Sequence, residues 1–205
     1  CVAVEKYFAC FVFYLCAEVV VARQPIFHSN QEVAAYELLF RSSHANYYTG
    51  KDDDTASFQT LNNTLNLIGL DALTGGRPAF INFTRRLLLE EAYQLLPPEL
   101  GVIEILENVE PDQAVIDACR RAKDAGYTLA LDDFVFDEGY RELVMLADII
   151  KIDYLNTSKT VCEQWGRNRP KDELKLLAEK VETHEALEHA RRAGYALFQG
   201  YFFCR

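Results

Sequence analysis

The sequence lacks the patterns that mark several common classes of protein. No CxxC pair occurs among the six cysteines, and the four histidines are not closely spaced with them, which argues against a structural zinc site. The pair Gly75-Gly76 is not followed by Lys-Ser/Thr, which excludes a P-loop. Basic residues form no cluster and the formal net charge is -10, so a nucleic acid polymer is a poor candidate for a partner. Scattered cysteines of this kind are typical of a cytoplasmic protein.

The first eighteen residues match no targeting signal. Residues 7–16 are almost wholly apolar, but Glu18 follows soon after and no basic cluster precedes them, so neither a signal peptide nor a membrane-spanning helix fits. We expect residues 1–18 to be a tail of unclear role, either an extra strand or helix packed on the domain or a segment foreign to it. The chain starts without Met and stops at Arg205 after an apolar run, so we also expect it to be a fragment of a longer protein.

From Val19 onward, short β-type runs alternate with helical stretches, which predicts one α/β domain with parallel strands and crossover helices. The eight predicted strands are residues 19–27, 32–40, 78–83, 101–106, 127–133, 149–154, 176–181 and 196–203. The predicted helices are residues 55–70, 85–96, 112–126 and 183–194. Only four residues separate the first two strands, too few for a parallel crossover, so these two should form an antiparallel hairpin.

Acidic residues lie at or near the carboxyl ends of several of these strands. They are Glu37, Glu104, Asp132, Asp133 and Glu179. In a barrel these ends share one rim, where the carboxylates would repel one another unless cations lay among them. Mg²⁺ and Mn²⁺ prefer oxygen ligands, and metal-assisted phosphoester chemistry is one use of such a site. Taken singly, an acidic residue after a strand is more often a helix cap or a solvated loop group, but such residues after several separate strands favour a shared site.

Strand alternation assigns the side chains within each motif. Glu104 and Glu107 point to opposite sides while the strand lasts, so Glu104 suits the metal and Glu107 the loop beyond. Lys151 and Asp153 share a face, which turns the ammonium toward the barrel mouth while Asp153 steadies it or the next loop. Glu179 is the inward candidate of its own strand.

Seven segments also resemble, in order, the motifs of the EAL domain family. They are Tyr36-Glu37-Leu38-Leu39-Phe40-Arg41, Ile81-Asn82-Phe83-Thr84, Ile103-Glu104-Ile105-Leu106-Glu107, Leu131-Asp132-Asp133-Phe134, Lys151-Ile152-Asp153, Ala178-Glu179-Lys180-Val181-Glu182 and Gln199-Gly200-Tyr201. The resemblance covers residues 21–203. The opening at residues 21–27 looks most like the EAL half of bacterial proteins that join EAL to a C-terminal HDOD domain.

The resemblance implies a TIM-like (β/α) barrel over residues 19–205, with an antiparallel first strand and without its final helix. It implies hydrolysis of the second messenger cyclic di-GMP to pGpG with Mg²⁺ or Mn²⁺ at two sites, in bacterial signal transduction. It also leaves a homodimer open. By motif, the first metal would be held by Glu37, Asn82, Glu104 and Asp132, and the second by Asp132 with Asp133.

The remaining roles carried over by motif concern water and ligand. Lys151 and Glu179 would position or activate the attacking water, and Glu107 would brace the loop after Asp133. Arg41 and Gln199 would contact the nucleotide.

Three features depart from the family pattern. The signature reads Glu-Leu-Leu rather than Glu-Ala-Leu, and the segment from Glu37 to Glu104 is short. Val135 stands where the family has glycine after the phenylalanine, so we expect the loop of the second metal to be altered and turnover to be weak or lost. A non-catalytic nucleotide sensor or protein scaffold is therefore the second hypothesis. An unrelated metal-dependent barrel enzyme is the third.

Overall fold

The computed structural model describes residues 2–8, 11–16, 19–42, 62, 69–133 and 138–204. Its strands are β1 (Val2–Phe8), β2 (Phe11–Cys16), β3 (Val19–His28), β4 (Val33–Ser42), β5 (Ala79–Phe83), β6 (Gly101–Ile105), β7 (Thr128–Leu131), β8 (Ile149–Asp153), β9 (Lys175–Glu179) and β10 (Leu197–Phe198). Its α-helices are α1 (Leu70–Thr74), α2 (Arg85–Leu89), α3 (Gln113–Asp124), α4 (Arg141–Leu146), α5 (Lys159–Arg167) and α6 (His184–Arg192). Short 3-10 turns cover Ala92–Leu95, Glu138–Tyr140 and Tyr201–Cys204.

Strands β3 to β10 close into an eight-stranded barrel. Each neighbouring pair from β4 to β10 is parallel, while β3 runs antiparallel to both β4 and β10 and completes the ring. Helices lie in the connections between the parallel strands, as right-handed crossovers require. The predicted TIM-like barrel with an antiparallel first strand is confirmed, and so is the hairpin of β3 and β4.

The N-terminal segment adds two strands to this sheet. Strand β2 pairs antiparallel with residues 19–23 of β3, whereas β10 pairs with residues 27–28 of the same strand. Strands β2 and β10 therefore divide the length of β3 between them. The assignment of residues 1–18 as a unit separate from the barrel stays a prediction.

Two predicted elements differ in the structure. The predicted helix 85–96 is interrupted at Glu91, whose left-handed φ of 54° ends the helical path before a 3-10 turn follows. The predicted strand 196–203 is wrong beyond Phe198. There the backbone turns at Gly200, and the Phe202 amide donates to the Val181 carbonyl. The predicted helix 55–70 lies almost wholly outside the described residues.

The predicted helices 112–126 and 183–194 begin where their capping residues indicate. The Asp112 carboxylate accepts a hydrogen bond from the Val115 amide at 2.9 Å, and the Thr183 hydroxyl accepts one from the Ala186 amide at 3.1 Å. Each side chain satisfies a donor that the first helical turn leaves unpaired. These caps fix the starts of α3 and α6.

The apolar residues form two cores on opposite faces of the barrel wall. A larger core packs the helices against the outside of the strands. A smaller one fills the barrel interior, with one side chain from each strand: Ile26, Ala35, Phe80, Val102, Ala130, Ile149, Leu177 and Leu197. Such a filled layer makes the barrel a solid support rather than a pore.

A close contact between α5 and the turn after α6 gives a test of this packing. A methyl group at Gly166 would overlap the backbone carbonyl of Ala193. We expect Gly166→Ala to lower the free energy of unfolding by roughly 1–3 kcal/mol, although alanine favours helix. Urea denaturation followed by circular dichroism measures this change. Gln164→Ala, at an exposed position of the same helix, should change little, and equal effects of the two substitutions would contradict the packing.

Candidate active site

A polar layer lies directly above the apolar interior of the barrel. Side chains two residues apart on a strand share a face. Each interior apolar residue has a polar residue two positions away on the same strand path, closer to the mouth. Each of the eight strands shows this arrangement. In the antiparallel β3 the polar residue precedes the apolar one in the sequence. The polar layer consists of Gln24, Glu37, Asn82, Glu104, Asp132, Lys151, Glu179 and Gln199.

The ammonium of Lys151 lies at the centre of this layer. Its side chain is 1% exposed, and Nζ forms ion pairs with Asp132 at 2.9 Å, Glu179 at 2.8 Å and Glu37 at 3.8 Å, and a further one with Glu104. Four carboxylates from four different strands thus share one buried cation. Strand register places Glu104 beside Asn82 of the polar layer.

The electrostatics of the cluster follow from its burial and its excess of negative charge. Burial raises the pKa of Glu104 well above its ordinary value, the charge of Lys151 opposes this rise, and the carboxylates of Glu37 and Asp132 add to it. Burial likewise raises the pKa of Glu179 from 4.5 to about 8. Burial alone would lower the pKa of Lys151, but the surrounding carboxylates raise it well above its ordinary value. The lysine therefore stays charged, while Glu104 and Glu179 retain protons more readily than usual.

Several buried oxygens in this region have no hydrogen-bond donor within the described part of the chain. They are Asn82 Oδ1, Glu104 Oε2, Asp133 Oδ1 and Gln199 Oε1. A buried oxygen without a partner costs free energy, so each of these atoms is placed to accept from a ligand. Carboxylate and amide oxygens are the donor set that hard divalent cations prefer.

A group of three acidic side chains at the mouth has the spacing that a cation needs. Oxygens of Asp132, Asp133 and Glu179 lie within 4.8 Å of one another. Together with the unpartnered oxygens, this spacing fits a hard divalent cation.

A second ionic group lies beside the cluster, where β8 and β9 end. Asp153 accepts hydrogen bonds from the Leu155 and Asn156 amides at 2.8 and 2.9 Å, and so steadies the loop that follows β8, as the sequence predicts. Its other oxygen accepts from the Lys180 ammonium at 2.6 Å. Lys180 also lies 3.4 Å from Asp133.

Most of the predicted site residues meet in one place. The cavity at the mouth is lined by Gln24, Glu37, Asp132, Asp133, Lys151, Glu179, Lys180 and Gln199. Glu104 lies fully buried beneath it, and Asn82 is its register partner on the adjacent strand. Gln199 donates to Glu37 at 2.6 Å, which links the last strand of the barrel to the first parallel one.

Two predicted residues are not placed in the cavity. Glu107 is exposed in the turn after β6, as strand alternation predicts, and the loop that it should brace, residues 134–137, lies outside the described residues. Arg41 lies one residue before the end of β4, opposite Val20, and its side chain also lies outside the described part of the chain. The roles of Glu107 and Arg41 stay predictions.

Sequence reasoning missed two residues that line the cavity, Gln24 and Lys180. In the structure Gln24 pairs with Glu37 through a register shift between Ile26 and Phe27, so counting back from the predicted hairpin loop does not give this pairing. Lys180 adjoins Glu179, and alternation along an extended strand would turn it away from the mouth. Its left-handed φ of 53° brings it to the cavity instead, and no pattern in the sequence indicates this turn.

Comparison with known proteins agrees with this geometry. The model of the EAL domain matches residues 51–205, which is more than half of the chain. The chain belongs to the EAL domain family. Glu37 and Arg41 precede the matched range, and the structure places Glu37 in the same cavity as the EAL residues that follow.

Two curated relatives align with 90% of this EAL chain. The uncharacterized protein YuxH of Bacillus subtilis is 42% identical over 194 residues, and the cyclic di-GMP phosphodiesterase CdgJ of Vibrio cholerae is 35% identical over 188 residues. The chain covers 46% of YuxH and 44% of CdgJ, so it spans less than half the length of either relative.

A solved structure shows the same fold. The EAL chain superposes on BlrP1 of Klebsiella pneumoniae, in a complex with manganese and cyclic di-GMP, with a TM-score of 0.72 and 22% identity. The match covers 94% of this chain and 56% of that one.

The shared ammonium gives a test of the cluster. Lys151→Met leaves three buried carboxylates and the partly buried Asp132 without their cation, so we expect the metal-free EAL domain to lose roughly 3–5 kcal/mol of unfolding free energy. Urea denaturation in EDTA measures the loss, and added Mn²⁺ should recover part of it. Lys159→Met, which removes an exposed ammonium paired with Glu185, is the control and should change little. A Lys151→Met protein as stable as wild type would rule out the proposed balance of charges.

The raised pKa of Glu179 predicts a dependence of stability on pH. Because the folded state binds this proton more tightly, the stabilisation is complete below pH 4.5 and disappears as the pH rises through about 8. Glu179→Gln is neutral throughout this range. We therefore expect the melting temperature of wild type in EDTA to fall relative to that of Glu179→Gln as the pH rises between these values.

Differential scanning calorimetry of both proteins over this pH range measures the difference. Parallel curves for the two proteins would show that the carboxyl group of Glu179 titrates normally.

Proposed function

We propose that this EAL domain binds cyclic di-GMP and hydrolyses it to pGpG with two divalent cations, Mg²⁺ or Mn²⁺. The observation that carries the proposal is the polar layer itself, in which carboxylate and amide oxygens from separate strands surround Lys151. The relative CdgJ, which is a cyclic di-GMP phosphodiesterase, supports the same substrate.

The ligand sets are those that the EAL motifs imply. Glu37, Asn82, Glu104 and Asp132 would hold the first cation, and Asp132 with Asp133 would hold the second. The unpartnered oxygens of Asn82, Glu104 and Asp133 belong to these sets. The bound cations would lower the pKa of a water molecule and offset the charge that develops on the phosphate.

The chain's own residues supply the remaining chemistry. Glu179 lies at the mouth, where burial makes it a stronger base than an exposed carboxylate, and a bound cation beside it would keep it ionised to accept a proton from the attacking water. Lys151 contributes a fixed positive charge toward the phosphate, and its ion pair with Glu179 at 2.8 Å holds that carboxylate in place. Gln199 restrains Glu37 through its amide and contributes an unpartnered oxygen for ligand contact.

A second candidate function is a nucleotide sensor or scaffold without turnover. Val135 favours it, because a valine resists the backbone angles that glycine allows in the loop after Asp133. Membership of the EAL family removes the reading as an unrelated metal-dependent barrel enzyme.

The wider setting of the domain is also proposed. A C-terminal HDOD domain, a homodimer and a cytoplasmic location stay predictions from the sequence. Among the described residues, no helix has both the length and the apolar character needed to span a bilayer.

The proposed reaction is tested by incubating the 205-residue chain with cyclic di-GMP and Mn²⁺ and separating the products by liquid chromatography. We expect pGpG from wild type, and a rate at least about 100-fold lower for Asp132→Asn, which alters a ligand of both cations. Asp117→Asn, a change at a half-exposed side chain on α3, should keep the wild-type rate.

Calorimetry with cyclic di-GMP separates the remaining outcomes. Binding without pGpG would support the sensor, and absence of both would reject cyclic di-GMP as the ligand.

A further inference from the structure

Lys180 holds an unusual place at the cavity. It follows β9 with a φ of 53°, in the left-handed region that non-glycine residues rarely adopt. The neighbouring backbone fixes this turn, because the Val181 amide donates to the Gln199 carbonyl at 2.9 Å. Strain that the surrounding structure maintains points to a functional constraint on the side chain.

The ammonium of Lys180 connects the ends of three strands. It donates to Asp153 at 2.6 Å and lies 3.4 Å from Asp133, which follows β7. Asp153 has further donors in the loop after β8, so its position does not depend on Lys180 alone. Asp133 differs, because its second oxygen is buried and has no donor within the described residues.

Asp133 is also one of the three acidic residues whose oxygens lie within 4.8 Å of one another. A cation that binds there meets the positive charge of Lys180 beside the same carboxylate. Lys180 is 46% exposed, whereas Lys151 is 1% exposed, so only Lys180 can turn its ammonium toward water when another cation arrives.

We propose that the Lys180 ammonium competes with the second divalent ion for the Asp133 carboxylate and so weakens the binding of that ion relative to the first. The inference rests on the proposed two-cation function. In this role Lys180 is a positioning residue, since it acts through Asp133 rather than on the substrate. When the second ion is absent, the Lys180 ammonium stabilises the Asp133 carboxylate. At higher metal concentration the ion displaces the ammonium from that carboxylate.

The test is a calorimetric titration of the 205-residue chain with Mn²⁺ alone. Removing the ammonium in Lys180→Met should lower the dissociation constant of the weaker Mn²⁺ site at least about tenfold, because a positive charge that competes with Mn²⁺ for Asp133 is lost. Lys180→Gly should act in the same direction, and it also relieves the left-handed backbone, which protects the test against poor folding.

Two control variants separate this effect from a general change of charge. Lys180→Arg keeps the positive charge and should retain the wild-type isotherm. Lys175→Met removes a lysine from the other end of the same strand and should also leave the isotherm unchanged.

Identical isotherms for wild type, Lys180→Met and Lys180→Gly, including isotherms without heat, would overturn the proposal, as would an equal shift in Lys175→Met. No nucleotide is present, so a failure of cyclic di-GMP hydrolysis leaves this result intact and the two proposals fail separately.

Discussion

The buried ammonium of Lys151 is the interaction on which the mouth of this barrel depends. Transfer of an ion from water to a protein interior costs several kcal/mol, and a buried carboxylate is tolerated only with a partner. Here one ammonium serves four carboxylates, so the attraction is divided and the cluster keeps a negative excess. The repulsion among these carboxylates thus limits the stability of the metal-free domain.

The apolar layer beneath the cluster makes this arrangement rigid. The eight interior side chains fill the barrel, so the carboxylates above them cannot withdraw downward, and the strands on either side prevent them from separating. The raised pKa values of Glu104 and Glu179 follow from this rigidity, because a flexible site would relax by admitting water or moving its charges apart. Bound cations would relieve the repulsion.

Period-two alternation made much of the site predictable from sequence. It distinguished Glu104, which is fully buried, from Glu107, which is exposed in the next turn. The close spacing of the first two strands likewise predicted the antiparallel hairpin.

The elements that sequence reasoning misplaced depend on tertiary contacts. The last strand ends early because the chain turns at Gly200 and packs against the backbone of Val181. This contact joins two separate segments of the chain, so the β propensity of the last strand alone does not indicate it. Lys180 reaches the cavity through a left-handed turn that alternation cannot indicate. Local periodicity predicts which face a residue occupies, but only while the backbone stays extended.

The charge balance of the mouth argues for coupling between metal and nucleotide. Five carboxylates face two lysines there, and Lys180 is shared with Asp153, so the cluster is negative enough to attract one divalent cation strongly. A second cation meets less negative charge than the first and is therefore attracted less strongly. A ligand with two phosphodiester groups would restore that attraction by bringing negative charge of its own. On the proposed function, the second cation and the nucleotide therefore favour each other's binding by the same factor, as thermodynamic linkage requires.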